Sequence, residues 1–437
     1  MAVDLTGGAG EELLFDEDGI ATRRSVLPGG IRVLTDYVPG QKSVAAAFWV
    51  GAGSRDEASG AEGSTHFLEH LLFKGTQTRS AVDISTLGDF LGGSLNAATS
   101  RQFTEYYGHV FSGDLPQLLE LLVDMFVHST LDREAMELER GVIIEELAAS
   151  DDDVSECAEN AIMGLVMGDH PLARPVGGTI ETVRALQHDH MMQHYRKNYR
   201  SEELVVTAAG DVNHNELCQI LCALLDSAGW NLSDGQLPQP RRRVADVQYT
   251  SGCRRFIAKP GRQSAVVVGV PGLQVTDSRI TTLNMLETIL GGGQSSRLFQ
   301  EVREKKGLAY ATFAWSSAYP EGGVFAMESQ CAPENTGEVR RIMTQCLHDI
   351  AEHGVSEHEV ETAFRQYRAQ VVFSAEAHSF RRNRLGQAEL IRGQLRTISE
   401  LLDEARAVTA ADIRQLAEDL AQRPQSVAVA GPEEARS

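Results

Sequence analysis

His66-Phe67-Leu68-Glu69-His70-Leu71-Leu72-Phe73-Lys74-Gly75 has a counterpart far down the chain, Asn284-Met285-Leu286-Glu287-Thr288-Ile289-Leu290-Gly291-Gly292-Gly293. An apolar run that reads as a buried strand precedes each. The first is Ser43-Val44-Ala45-Ala46-Ala47-Phe48-Trp49-Val50, the second Ser264-Ala265-Val266-Val267-Val268-Gly269-Val270. Most apolar positions and the closing glycine coincide without a gap. Further on, the acidic stretch 131–146 matches 355–370, in both places after a long amphipathic helix. Self-similarity at two copies predicts a two-lobed protein, not a solenoid. The mixture of strands and helices within each copy is α+β, with helices packed on an antiparallel or mixed sheet.

A chain of 437 residues is too long for one hydrophobic core, so two lobes also suit its length. Leu232-Ser233-Asp234-Gly235-Gln236-Leu237-Pro238-Gln239-Pro240 is polar, proline-bearing and aperiodic, and reads as a linker. The expected organisation is an acidic, poorly ordered tail over 1–21, a first lobe over 22–231, the linker over 232–243 and a second lobe over 244–437. The tail has neither an apolar signal core nor an Arg-rich amphipathic pattern, so a cytoplasmic location is expected.

Hydrophobic residues make up 42% and charged residues 23%, as in soluble globular proteins. No apolar run approaches the roughly 20 residues of a membrane helix, so no membrane partner is expected. The net charge of −21 argues against a nucleic-acid partner, because phosphate binding needs a basic surface. Six cysteines without a CxxC pair suit a reducing compartment. Cys218 and Cys222 lie one turn apart in an apolar helix and read as small core residues.

The two copies differ where chemistry is concerned. His66 falls opposite Asn284, His70 opposite Thr288 and Glu146 opposite Gln370. That is the pattern of one active centre on a duplicated scaffold. On a helix His66 and His70 lie roughly 40° apart, and Glu69 falls in the same sector. Two such imidazoles can share a zinc ion at about 2.0–2.1 Å, while a neighbouring carboxylate takes a proton from water. This order is that of the inverted zincins.

A catalytic zinc usually has three protein ligands. Glu146, in Glu139-Arg140-Gly141-Val142-Ile143-Ile144-Glu145-Glu146, is the candidate third. Val142 and Ile143 are expected to anchor that helix in the core. Glu139, seven residues earlier on the same face, is expected to stand behind the ligand as an auxiliary acid. Histidines on a surface helix are ordinarily idle. Here the flanking Phe67, Leu68, Leu71, Leu72 and Phe73 would make unpaired charge costly, which favours the metal. The group His188, His190 and His194 has no carboxylate between its members and reads as an ordinary helix end.

With these residues in place, the chain resembles the pitrilysin/insulinase superfamily, and most closely its short bacterial members that are like mitochondrial processing peptidase. The resemblance runs from about Arg23 to about Gly431. It implies a clamshell of two lobes around a peptide, and a zinc-dependent endopeptidase with one zinc per chain on His66, His70 and Glu146. Glu69 is the implied base. Gly92–Ser100 looks like the family's edge strand, where Asn96, Ala97, Ala98 and Thr99 would bind an extended peptide by backbone pairing. Arg303 and Tyr310, after the glycine run 291–293, match an Arg and a Tyr that contact the substrate backbone and the developing oxyanion. No G-K-[ST] follows those glycines, so they are not a nucleotide loop. The substrates implied are unstructured or extended peptides, and the assembly a homodimer. The alternative is a non-catalytic scaffold or peptide-binding subunit of the same fold. The intact ligand set favours the enzyme.

Overall fold

The computed structural model describes residues 2–5, 10–17, 19–230, 232–233, 235–250 and 252–436. Ser43–Val50 is an interior strand of a seven-stranded sheet and is buried along nearly its whole length. The strand order is Gly10–Glu17, Ile20–Leu27, Ile31–Tyr37, Leu204–Gly210, Ser43–Val50, Thr104–Phe111 and Ser94–Thr99. All neighbours are antiparallel except Ile31–Tyr37 with Leu204–Gly210. Alternation explains the unbroken apolar run. Val44, Ala46, Phe48 and Val50 pack with the helices Ser64–Leu72 and Leu115–His128, whereas Ala47 and Trp49 point to the other face. There they meet Leu385, Ala388 and Leu390, from a segment near the end of the chain. A strand covered on both faces has no polar side to show.

Ser264–Pro271 is the centre of a second, five-stranded sheet, ordered Ala309–Tyr319, Gly322–Cys331, Ser264–Pro271, Ser426–Gly431 and Arg254–Ala258. Ser43–Val50 and Ser264–Pro271 are each antiparallel to both neighbours, and in each sheet one parallel pair follows on one side. Val266, Val268 and Val270 face the helices Ile280–Gly291 and Thr336–His353, while Ala265 and Val267 face Val154–Met167. The expected two-lobed α+β fold with mixed sheets is therefore observed.

The lobes are not the contiguous blocks 22–231 and 244–437. One compact unit is Met1–Leu147, Pro175–Arg242 and Ser374–Thr397, and the other is Ala148–Arg174, Arg243–Phe373 and Ile398–Ser437. Each sheet takes the helix on its outer face from the other half of the chain. His378–Gln387 lies on the first sheet through Gly386, where a Cβ would come 2.4 Å from the Trp49 ring. Val154–Met167 lies on the second through Gly269, where a Cβ would come 2.5 Å from Ile162. Buried charge pairs fix the first exchange: Glu389 with Arg24 at 3.0 Å, Glu105 with Arg382 at 3.0 Å, and Asp36 with Arg384 at 3.3 Å.

The expected disorder of 1–21 is also corrected. Gly10–Glu17 forms the outer strand on Ile20–Leu27, Val3–Asp4 pairs with Gln394–Leu395, and Leu5 is buried. Leu14 and Phe15, partly buried against Trp49 and its neighbours, supply the apolar contact that composition alone concealed. Met1, 6–9 and Asp18 of that tail lie outside the described residues, as do Asn231, Asp234, Ser251 and Ser437. The described part of 232–243 has no regular structure. It is nonetheless tied down: Ser233 O accepts from Gly29 N at 3.0 Å, Gln239 N donates to Glu202 O at 2.9 Å, and Arg242 pairs with Glu203 at 2.6 Å.

Candidate metal centre

Ser64–Leu72 begins at Gly63, whose φ of 91° lies in the left-handed region, and a Cβ there would come 2.5 Å from the Gly177 carbonyl oxygen. No capping side chain stands at that position. Instead the buried Glu57 carboxylate accepts from Gly63 N at 2.9 Å and Thr65 N at 2.7 Å. These are two of the orphan donors of a helix start. Phe67, Leu68, Leu71 and Leu72 are fully buried. They fix the helix so that His66, Glu69 and His70 share its opposite face.

Arg133–Asp152 buries a stripe of Met136, Glu139 and Ile143. Arg140 holds this helix in place by donating to the Val183 and Leu186 carbonyls and by lying 5.6 Å over the Phe67 ring. Val142, expected in the core with Ile143, is solvent-exposed. Successive residues differ by about 100°, so both cannot occupy one narrow stripe.

These two helices bring His66, His70 and Glu146 together, with ligand atoms all within 4.8 Å of one another. The two Nε2 atoms are 3.3 Å apart, His66 Nε2 is 3.7 Å from Glu146 Oε1, and His70 Nε2 is 3.6 Å from Oε2. Donors at such spacings can all lie about 2 Å from one point, which is the zinc–ligand bond length. Two imidazoles and a carboxylate are also donors that zinc accepts, so the residues fit the ion. No other such group of three occurs among the described residues.

Around this cluster the partners are unequal. His70 Nδ1 lies 2.9 Å from Glu139 Oε1, and Glu139 Oε2 lies 2.8 Å from Lys74 Nζ. A carboxylate behind the ring fixes the tautomer, leaving the Nε2 lone pair for a metal. His66 Nδ1 is buried with no hydrogen-bond partner among the described residues. Burial pushes the His66 ring below the ordinary imidazole value; His70 adds to the shift and Glu146 opposes it.

Thr99 Oγ1 donates to Glu69 Oε2 at 2.5 Å. Burial lifts the Glu69 carboxyl above the usual carboxylate range, the Thr99 hydroxyl and the His70 ring pull it back, and Glu146 lifts it further. Thr99 closes Ser94–Thr99, the last strand of the sheet, which has one neighbour. Ser100 N donates to Phe103 O at 2.8 Å, which sets the alternation of the hairpin. Asn96 and Ala98 then bond to Thr104–Phe111, while Leu95, Ala97 and Thr99 turn their backbone groups to the open edge. Consistent with this, Ala97 N donates not to that strand but to Asn96 Oδ1, at 2.8 Å.

Residues 32–180 match the family described as Insulinase (Peptidase family M16), and 185–367 match the Peptidase M16 inactive domain. An uncharacterized zinc protease of Streptomyces coelicolor is 38% identical over 97% of this chain and 92% of its own length. The chain belongs to peptidase family M16. An uncharacterized zinc protease of Mycobacterium tuberculosis is 36% identical, with 94% of each M16 chain covered. A protease from Helicobacter pylori superposes with a TM-score of 0.86 at 19% identity, over 94% of this chain and all of the other. That likeness carries the fold. The pitrilysin/insulinase resemblance is thus established, and with it a metallopeptidase family.

Elsewhere in this M16 chain, the second unit carries Arg303 and Tyr310. Arg303 lies in the π-helical turn Phe299–Glu304, and Tyr310 is the second residue of the strand Ala309–Tyr319. The guanidinium lies 4.5 Å from the Tyr310 ring centre and donates to the Tyr310 carbonyl at 3.1 Å, while Tyr310 is 81% exposed. Gly291 packs helix against strand, since a Cβ there would come 2.2 Å from Ala314 N. His188 donates to the Leu131 carbonyl at 2.7 Å, His190 accepts from Gln187 N at 3.3 Å, and His194 bonds Thr65 at 3.3 Å, so these three rings serve separate ends. Burial raises the Cys218 and Cys222 thiols, Cys218 to about 12. Glu57, Lys74 and Arg140 were missed in the sequence. Only Lys74, four residues after His70, left a spacing signal.

Proposed function

We propose that this chain is a zinc-dependent endopeptidase acting on extended or unstructured peptides, with one zinc per chain. The observation that carries the reading is the convergence of His66, His70 and Glu146 beside the half-buried Glu69 carboxylate. His66, His70 and Glu146 would hold a zinc ion, which would supply Lewis-acid activation of a water and of the scissile carbonyl. Glu69 takes the proton from the attacking water and returns it to the leaving amine. Thr99 holds Glu69 Oε2, which leaves Oε1 to face the water. Glu139 keeps the proton of His70 on Nδ1. Arg303 and Tyr310 are assigned hydrogen-bond donation to the substrate backbone and oxyanion, and the exposure of the phenol supports that role.

The peptide pairs with the backbone of Leu95, Ala97 and Thr99, with Asn96 and Ala98 alternating between them. On binding, a substrate carbonyl takes the Ala97 N–H from Asn96 Oδ1. In the same reading the enzyme is a cytoplasmic homodimer without nucleic-acid or membrane partners. The charge of −21 supports the former exclusion. Among the described residues, no helix is long and apolar enough to cross a membrane.

Metal analysis by mass spectrometry, combined with hydrolysis of a quenched fluorescent peptide, tests the proposal. One zinc per chain is expected, with activity abolished by a chelator and restored by added zinc. Undiminished cleavage after verified metal removal overturns the reading. Peptide binding without zinc or cleavage would identify the non-catalytic subunit instead.

A further inference from the structure

The two candidate imidazoles are held in different ways. His70 is gripped through its ring, with Nδ1 lying 2.9 Å from the Glu139 carboxylate. His66 Nδ1 is buried, and no described residue offers it a hydrogen bond. It looks onto an apolar corner: a Cβ at Gly177 would lie 3.6 Å from it and 2.9 Å from a methyl group of Leu147. A ligating imidazole is normally aimed by the group on its second nitrogen. For His66 that means is missing, so the aim of its ring depends on where the backbone carries it.

Glu57 holds that backbone, and its side chain is buried. One carboxylate oxygen accepts from Gly63 N at 2.9 Å, the other from Thr65 N at 2.7 Å. Thr65 is the residue just before His66, in the first turn of Ser64–Leu72. Hydrogen bonds to an ionised acceptor are short and strong, and a helix start favours a carboxylate. With both oxygens engaged, Glu57 fixes the rotation of the first turn as well as its place. The Thr65 side chain is held on its own account, Oγ1 lying 3.4 Å from the Gly53 carbonyl and 3.3 Å from His194 Nε2. Glu57 in turn follows a loop bonded to the end of the edge strand: Ser54 N donates to Ser100 O and Arg55 N to Arg101 O, both at 3.1 Å. Ser100 is the neighbour of Thr99, which grips Glu69. One run of contacts thus links the edge strand to the turn that bears His66. We propose that Glu57 is a positioning residue for His66, aiming the ring at the metal through the backbone as Glu139 aims His70 through its ring. This rests on the zinc reading above and adds to it a residue outside the ligand set.

The test sets Glu57→Gln and Glu57→Asp beside wild type and beside Glu389→Ala, which removes the buried pairing with Arg24 and Arg32 in the same unit. Zinc affinity is titrated against a competing chelator. The visible absorption of the cobalt-substituted protein reports the ligand geometry, and denaturant unfolding gives the stability of each variant. Glu57→Gln keeps one acceptor oxygen and turns an N–H2 toward the other backbone N–H. Glu57→Asp keeps the charge but is too short to hold both contacts. Each is expected to bind zinc about tenfold more weakly than wild type and to shift the cobalt bands. Glu389→Ala is expected to lose stability with zinc affinity and cobalt bands unchanged. Wild-type affinity and bands in both Glu57 variants overturn the positioning role. Equal weakening by Glu389→Ala does so too, since zinc binding would then follow stability alone. Should Glu57→Gln fail to fold, Glu57→Asp decides by the same readings. If wild type itself takes up neither zinc nor cobalt, the metal reading falls and the positioning role with it. That result is distinct from a metal-loaded wild type matched by its Glu57 variants, which removes the positioning role alone.

Discussion

His70 Nδ1 lies 2.9 Å from the Glu139 carboxylate, which in turn holds Lys74 Nζ at 2.8 Å. The buried carboxylate thus sits between a ring whose far nitrogen faces Glu146 and a cation that balances its charge. A Glu139→Gln amide turns an N–H2 toward either Lys74 or His70 Nδ1–H, and one contact is lost in each orientation. Zinc affinity is expected to fall by about 10- to 100-fold. Titration with a competing chelator measures it, and an unaltered constant would show that Glu139 does not orient the ring. His70→Ala is expected to abolish stoichiometric binding.

Glu69→Gln separates metal binding from chemistry. The amide can still accept from Thr99 but cannot take a proton. Zinc content is expected to match wild type, while turnover drops by roughly 10²- to 10⁴-fold. Full cleavage by a well-purified Glu69→Gln protein would remove Glu69 from the role of base.

Stability should depend on pH through His194. Burial pushes this ring down to about 4 from 6.5, and Arg242 and Lys197 add to the shift. Between those values the unfolded chain binds the proton and the folded chain does not. The contribution is therefore complete above the ordinary value and is lost as pH falls toward 4, by up to about 3 kcal/mol. Denaturant unfolding at pH 7 and pH 5 should show wild type losing more stability than His194→Gln on acidification. Equal losses would count against a neutral buried ring.

Glu389 joins the late segment to the first sheet through Arg24 at 3.0 Å and Arg32 at 3.9 Å, all three being buried. Removing one partner of such a set leaves uncompensated buried charge, and Glu389→Ala is expected to cost about 3–5 kcal/mol. Hydrogen exchange should show the added opening in 374–397 and in the strands it covers, with Ala309–Tyr319 protected as before. Uniform loss across both units would contradict the exchanged packing.

Gly63→Ala probes the entry of the helix that bears both histidines. The left-handed φ and the 2.5 Å approach to the Gly177 carbonyl leave no room for a methyl group. A loss of about 1–3 kcal/mol is expected, with weaker zinc binding. Unchanged melting would show that the loop can yield.

Much of the fold was legible because the same pattern appears twice. The strands at 43–50 and 264–271, the helices after them and the acidic helices all lie where periodicity puts them, and the candidate ligands were the side chains that broke the repeat. The three histidines 188, 190 and 194 went to separate partners, as the missing carboxylate suggested. Leu14 and Phe15 were overlooked because an acidic composition masked two apolar side chains on an edge strand. Val142 was misplaced because a helix with a narrow buried stripe cannot bury two consecutive residues.

Local spacing, then, determined which residue types could meet a metal: an i, i+4 pair of imidazoles has a common face whatever surrounds it. Spacing also determined that two similar lobes exist. Only the tertiary structure decided that Glu146 reaches both imidazoles, that Glu139 backs His70, and that Thr99 grips Glu69. Those contacts join positions 30 to 80 residues apart. It alone decided which helix covers the outer face of each sheet. An unbroken apolar strand records that both its faces are dry, and nothing in the strand says which part of the chain keeps them so.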